Sequence, residues 1–208
     1  MKKRLTETDL RRIVRRVINE SKEGEKMSWN EKYKDINEAY LENAGIISTY
    51  GRIVCISFGY ETNGEKQIRS FYGDDEKDIV ESFNNLLKKI ETKSFSLSGF
   101  RINHFDIPWV LHKLHKYGID PANMIYLYDK KPWDMRIVDM SDDWKQKFAW
   151  AFSFDEMCYE LSVDSPKSNM NGSQVHEFYH NGKIEDIKKN KCQLTVENVY
   201  LKYEHVLK

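Results

Sequence analysis

The chain has 208 residues, with 33 Lys plus Arg against 33 Asp plus Glu and a formal net charge of zero at pH 7. The length suits one domain with an extra segment, and the charge balance excludes nucleic-acid binding by global basicity, leaving only local patches. With 12 Tyr, 10 Phe and 5 Trp there is enough aromatic surface for a packed core, which excludes bulk disorder, and no apolar run approaches the ~20 residues of a membrane span.

In chain order, residues 5–20 show an amphipathic helix pattern. Thr6 is the N-cap candidate, with Asp9 three positions later as in a capping box. Leu10, Ile13, Val14, Val17 and Ile18 form one apolar stripe, and Arg11, Arg12, Arg15 and Arg16 fill the opposite face. Such a leader docks on its own domain or on a protein partner through Leu10, Ile13, Val14 and Val17; a basic arm on nucleic acid is the alternative. It has no continuous apolar segment, so it does not read as a secretory signal. Ser21 to Met27 is a polar, glycine-containing linker. The domain reading is therefore a leader helix and linker over residues 1–26, followed by one domain over 27–208.

Residues 29–44 read as an irregular helix. Arg52 to Tyr60 is rich in β-branched residues and reads as a strand. Asn63-Gly64 marks a hairpin turn, with Gln67 to Tyr72 as the returning strand. Asp74 or Asp75 caps a helix whose stripe is Ile79, Phe83, Leu86, Leu87 and Ile90. Ser94 to Ile102 is the next strand, and Asp106 opens a helix with Pro108 in its first turn and Gly118 at its end. Ile137 to Met140 is a short strand, Phe154 to Leu161 a helix, and a long helix runs from about Ile184 to Val206. This order is that of an α/β layer protein with a mixed sheet.

The cysteines, Cys55, Cys158 and Cys192, form no CxxC pair, which fits a reduced intracellular setting; Cys158 and Cys192 read as core thiols. His176-Glu177-Phe178-Tyr179-His180 matches the HExxH zinc pattern. Asn181-Gly182 ends any helix there at once, however, and no third ligand follows at a persuasive position. His112 and His115 lie one turn apart and read as a surface pair. Lys130, Lys131, Arg136, Lys145 and Lys147, with Trp133 and Trp144 interleaved, suit single-stranded nucleic acid, although an ordinary mixed surface with core tryptophans is the preferred reading. Asp139, at a strand end, reads as structural or capping, and Asp106 as an N-cap.

Several segments resemble, in order and spacing, the predicted 3′–5′ exonuclease family related to the proofreading domain of B-family DNA polymerases. They are Gly51 to Ser57, Gly73 to Lys77, Gly99 to Pro108, Lys131-Pro132-Trp133, Ser165-Pro166-Lys167 and Asn171 to Val175. The likeness spans roughly residues 29–203. It implies a ribonuclease H-like mixed sheet flanked by helices. It also implies four carboxylates holding two divalent cations, Mg²⁺ or Mn²⁺, about 3.5–4 Å apart for in-line attack on phosphate. The leader resembles short N-terminal segments of many otherwise unrelated bacteriophage proteins, which implies a phage-encoded protein, cytoplasmic in the host cell or virion-associated.

The chain departs from that pattern at three motifs. No strand carrying Asp-x-Glu is visible between Gly24 and Gly51, and Asp74-Asp75-Glu76 has that spacing at a helix start instead. The second motif keeps Asp106, but its asparagine partner falls at Arg101, with Asn103 nearby. The third motif, Tyr-Cys-x-x-Asp-Val in the family, reads Lys191-Cys192-Gln193-Leu194-Thr195-Val196, and the Asp of the Asp-Gly-Ser segment is Asn171. At ~4 Å and an effective dielectric near 20, each carboxylate–cation pair contributes on the order of 4 kcal/mol. Loss of three carboxylates therefore removes most of what gathers two divalent ions.

The expectation is a degenerate relative without efficient hydrolysis and without a bound metal. Asp106 is its one retained motif aspartate, and Arg101, Asn103, Lys131 and Lys167 are candidates for contacting single-stranded DNA. The alternatives are an active enzyme with relocated ligands (Asp106, Asp139, Glu197) and a protein-interaction module acting through the leader stripe. A further expectation concerns the missing first strand, which would lie mid-sheet. Residues between Met27 and Thr49, or another chain, would then have to cover the unpaired backbone.

Overall fold

A computed structural model describes residues 44–62, 64–92, 95–126, 128, 130–131, 134–145, 153–165 and 169–196. The leader stripe, the linker, the helix expected before residue 44, Trp133, Lys147, Lys167 and Glu197 lie outside the described residues. The chain divides into two units, Met1–Gly51 and Arg52–Lys208. In the first, the described part is a 3₁₀ turn, Ala44–Ile46, followed by a turn in which Tyr50 and Gly51 donate their N–H groups to the Ile47 carbonyl at 3.0 and 2.8 Å. Residues 44–49 therefore supply no strand.

The second unit opens with a hairpin, β1 Cys55–Thr62 and β2 Glu65–Tyr72, antiparallel with Cys55 opposite Tyr72 and Thr62 opposite Glu65. Gly64 takes a left-handed φ of 78° in the turn, as the Asn-Gly signal requires. The strand begins three residues later than its β-branched run suggests. Ile53 gives its N–H to the Glu76 side chain at 2.8 Å rather than to the hairpin, and the Val54 carbonyl accepts one last bond across the pair, from Gly73 N–H at 3.2 Å.

Side-chain alternation gives the hairpin two faces. Ile56, Phe58 and Phe71 pack on Phe83 and the main core. On the other face, Ser57 and Ser70 hydrogen-bond across the pair at 2.8 Å, and Ser70 also accepts from Gln193.

Helix α1, Glu76–Ile90, is capped by Asp75, whose carboxylate accepts from Lys77 and Asp78 N–H at 2.9 and 3.2 Å. It buries Ile79, Val80, Phe83 and Leu87. Asn84, fully buried, donates to the Asp120 carbonyl and accepts from Ala122 N–H, which pins the loop after the next helix. Strand β3, Leu97–Gly99, leads to α2, Asp106–Tyr117, which ends at Gly118 with φ 68°. Strand β4, Ile137–Asp139, then pairs parallel with β3, Leu97 opposite Ile137 and Gly99 opposite Asp139. Only three residues of the expected 94–102 strand pair, because the chain turns at once through Arg101, whose φ is 57°.

Short helices α3, Met140–Lys145, and α4, Phe154–Glu160, close a second cluster of Met140, Phe154, Met157, Cys158 and Val163, with Trp144 against it. Ser153 and Glu156 form a full capping box for α4. Helix α5 is Val175–His180. Helix α6, Ile184–Asp186, runs into a π-helical stretch, Ile187–Gln193, where one long α-helix was expected.

The architecture is mixed α/β, with small sheets flanked by helices. The mixed pairing occurs as two separate two-stranded sheets, β1–β2 antiparallel and β3–β4 parallel. Among the described residues no strand precedes β1.

Candidate functional site

Asp139 organises the loop that delivers Asp106. It is buried at the end of β4. Its Oδ1 accepts from Arg101 N–H at 2.8 Å, Ser141 N–H at 3.0 Å and the Ser141 hydroxyl at 2.7 Å, and its Oδ2 accepts from Asn103 N–H at 3.0 Å. Four charge-assisted bonds are what allow a buried carboxylate. They hold the left-handed turn at Arg101 and aim the chain into α2. The structural reading of Asp139 made from sequence is the one this geometry fits.

Asp106 is the first residue of α2. The cap position belongs to Phe105, which makes no side-chain cap bond, so Asp106 is not the N-cap its sequence position suggested. Its surface stays open to solvent, yet protein crowds the carboxyl. Loss of hydration is the largest influence and raises the pKa. The Asp106 N–H lowers it, the Asp139 charge raises it and the Lys191 charge lowers it, leaving it at about 6. The second- and third-motif segments, far apart in sequence, thus meet electrostatically at Asp106.

Thr195, in the third-motif position of an aspartate, turns its hydroxyl onto the Lys191 carbonyl of its own helix. It presents no acidic oxygen. Beside Asp139, His104 Nε2 lies 3.3 Å from Asp142 Oδ2, and ligand atoms of His104, Asp139 and Asp142 lie within 4.8 Å of one another. That mixed nitrogen–oxygen set is compatible with one divalent ion, although Asp139 already spends four acceptor positions on the loop. Two ions need more carboxylates than the described residues bring together, so the two-metal arrangement does not fit them.

The other expected site residues are distributed as follows. Arg101 is exposed at the loop apex. Asn103 is half-buried, and its Oδ1 is enclosed without a hydrogen-bond partner among the described residues. Lys131 is exposed between α2 and β4, its carbonyl accepting from Asp134 N–H, and takes no part in the Asp139 hydrogen-bond set. In the basic neighbourhood, Arg136 donates to the Glu91 carbonyl and Lys130 to that of Asn123.

His176 and His180 stack edge to face at 4.3 Å on exposed α5, which stops at Asn181. That helix is tied down by Tyr179, which donates to Asp74 and lies beneath Arg52.

Sequence reasoning missed the role of Glu76. This buried carboxylate binds Lys113 at 3.1 Å, Lys116 at 2.8 Å, the Tyr117 hydroxyl at 2.6 Å and Ile53 N–H. Burial pushes its pKa up, but the bonds from Lys116, Tyr117, Ile53 and Lys113 outweigh that and lower it to about 2. The readable signal was an acid in the first turn of α1 together with Lys113, Lys116 and Tyr117 on one face of α2. The Asp-x-Glu spacing at Asp74–Glu76 therefore marks a structural hub.

The family model described as a predicted 3′–5′ exonuclease related to the exonuclease domain of PolB matches residues 46–207. No curated protein and no solved structure matches the chain.

Proposed function

The chain belongs to this predicted 3′–5′ exonuclease family related to the exonuclease domain of PolB, and from that premise we propose that it is a degenerate member. It holds single-stranded DNA without hydrolysing it efficiently, as a binding or structural component of a phage replication or virion assembly. One observation carries the reading: at the third motif a threonine bonds its own helix, where a nuclease gathers acids around cations. Asp106 remains, and its hydration is already reduced. Asp106, with a neighbouring Asp139 already bonded four times to its loop, does not assemble the paired ions that align water and leaving group. Arg101, exposed at the apex of the same loop, is the side chain best placed to take a phosphate oxygen, with Asn103, Lys131 and Lys167 as further candidate contacts.

The second reading, an active enzyme with relocated ligands, draws on the His104–Asp139–Asp142 set. An assay with end-labelled single-stranded DNA and Mn²⁺ separates the two. The expected result is no stepwise shortening from the 3′ end, together with binding that weakens as salt rises. Arg101→Ala should weaken binding and flatten the salt slope by about 0.7, the value for one single-strand phosphate contact. Stepwise 3′ shortening that Asp106→Ala abolishes would establish the second reading instead.

A further inference from the structure

Cys55 opens β1 and Cys192 lies in the π-helical stretch, 137 positions later by subtraction of their numbers. Both pack on the same small cluster of Val54, Met170 and Ile187, on the face of the hairpin turned away from α1. Strand β1 and the π-helical stretch pack directly on each other there. Both residues are half-buried, whereas Cys158 is fully buried in the other cluster. Ser57 Oγ stands 3.9 Å from Cys55 Sγ as a further polar neighbour. No role in DNA binding or hydrolysis explains two free thiols bordering one cluster between a strand and the helix packed on it.

We propose that Cys55 and Cys192 are a redox-sensitive pair that closes into an intramolecular disulfide when the chain meets a low-molecular-weight disulfide such as glutathione disulfide. The chemistry is thiol–disulfide exchange. The Cys55 thiolate attacks one sulfur of glutathione disulfide, forming a mixed disulfide and expelling one glutathione thiolate. Cys192 then loses its proton and attacks the Cys55 sulfur, expelling the second. Two protein thiols are oxidised, one glutathione disulfide is reduced to two glutathione molecules, and the two protons end on those.

The order of attack follows from the microenvironments. The Cys192 thiol is the largest influence on Cys55 and lowers its pKa; burial opposes it, and Ser57 and Lys188 help. Cys192 is pushed the other way, first by the Cys55 thiol and then by burial. Cys55 is therefore the attacking thiol and Cys192 the resolving one. The resulting bond would fasten β1 to the helix that carries Lys191 and Thr195.

The experiment uses the full chain, folded and reduced, incubated with glutathione disulfide, alkylated and mapped by mass spectrometry. The expected product is a monomer that has lost two hydrogens. Cys55 and Cys192 peptides are joined, Cys158 is alkylated, and dithiothreitol reverses the change. Cys158→Ser should leave the cross-link intact. Cys192→Ser should stop at a glutathione adduct on Cys55, with circular dichroism confirming that it folds; if it does not fold, the mapping of Cys158→Ser decides alone. A cross-link to Cys158, a cross-link between chains, stable separate adducts on the native chain, or no reaction would each overturn the proposal.

Discussion

At the scale of single residues, the strongest polar commitment in the described part is Glu76. Removing one partner from a buried ion pair costs on the order of 3 kcal/mol or more, because the surviving charge stays desolvated. Lys113 would be that survivor, since burial lowers its pKa and only Glu76 restores it. Glu76→Gln should therefore lower unfolding stability by about 3 kcal/mol in a urea titration at neutral pH. The native chain should also show an acid-sensitive window. The carboxyl's folded-state pKa lies at about 2, below its ordinary 4.5, so its contribution is complete above about pH 4.5 and fades as pH falls through about 2. With solvent near the half-exposed Lys116, that contribution is about 2 kcal/mol, and the Glu76→Gln chain should lack it. Stability curves of the two proteins that run parallel between pH 5 and 2 would sink the assignment. Asp106 has the opposite sign: its raised pKa means the folded state gains stability as pH falls through about 6. This second carboxylate works against the first in acid, so the Glu76 window is best read below pH 4.5.

At the scale of elements, the hairpin is held between α1 on one face and the last helical segment on the other, and at Gly59 that segment leaves no room for a side chain. A Cβ there would sit 2.3 Å from Val196 Cγ1. Valine is stiff at χ1, so the clash cannot be relieved by a rotamer change alone. Gly59→Ala should cost roughly 1–3 kcal/mol, and Val196→Ala in the same chain should recover most of it, a coupling that a double-mutant cycle measures directly. Strict additivity would show that the helix does not press on β1 as described.

Much of this layer was legible beforehand. The Asn63-Gly64 turn, the Asp75 cap, the Ile79–Phe83–Leu87 stripe and the Gly118 stop are local signals, and each element formed where its signal stood. The strand limits were less legible, because a side chain from α1 takes the Ile53 N–H and because Asp139, reached only through the fold, bends the chain at Arg101. The convergence of Asp106 with Lys191 came from the family resemblance; spacing alone carries no such information. The shared cluster of Cys55 and Cys192 had no sequence signal at all, since nothing about two distant cysteines specifies that their elements lie face to face.

At the scale of the whole molecule, the described fold is unevenly supported. β1 and β2 pair over eight residues each, and β1 packs on helices at both faces although much of β2 is exposed. β3 and β4 pair over three residues each and form a sheet of their own. Local opening follows buried contacts and ladder length. Native-state hydrogen exchange should therefore find its slowest amides in β1, β2 and α1, and faster ones in β3 and β4. The reverse ranking would mean that a further strand joins β3 and β4. The expectation that residues 27–49 or another chain cover the missing strand is narrowed at one end only, by the turns at residues 44–49.

The π-helical stretch has one more consequence. Where backbone bonds skip to the fifth neighbour, each residue advances less around the axis than in an ordinary helix. A helical wheel drawn at the usual step therefore mislabels the direction in which Thr195 and Val196 point. Anyone reinstating an acidic side chain at position 195 inherits that offset: the letter would return to its place in the string while its oxygens faced another quarter.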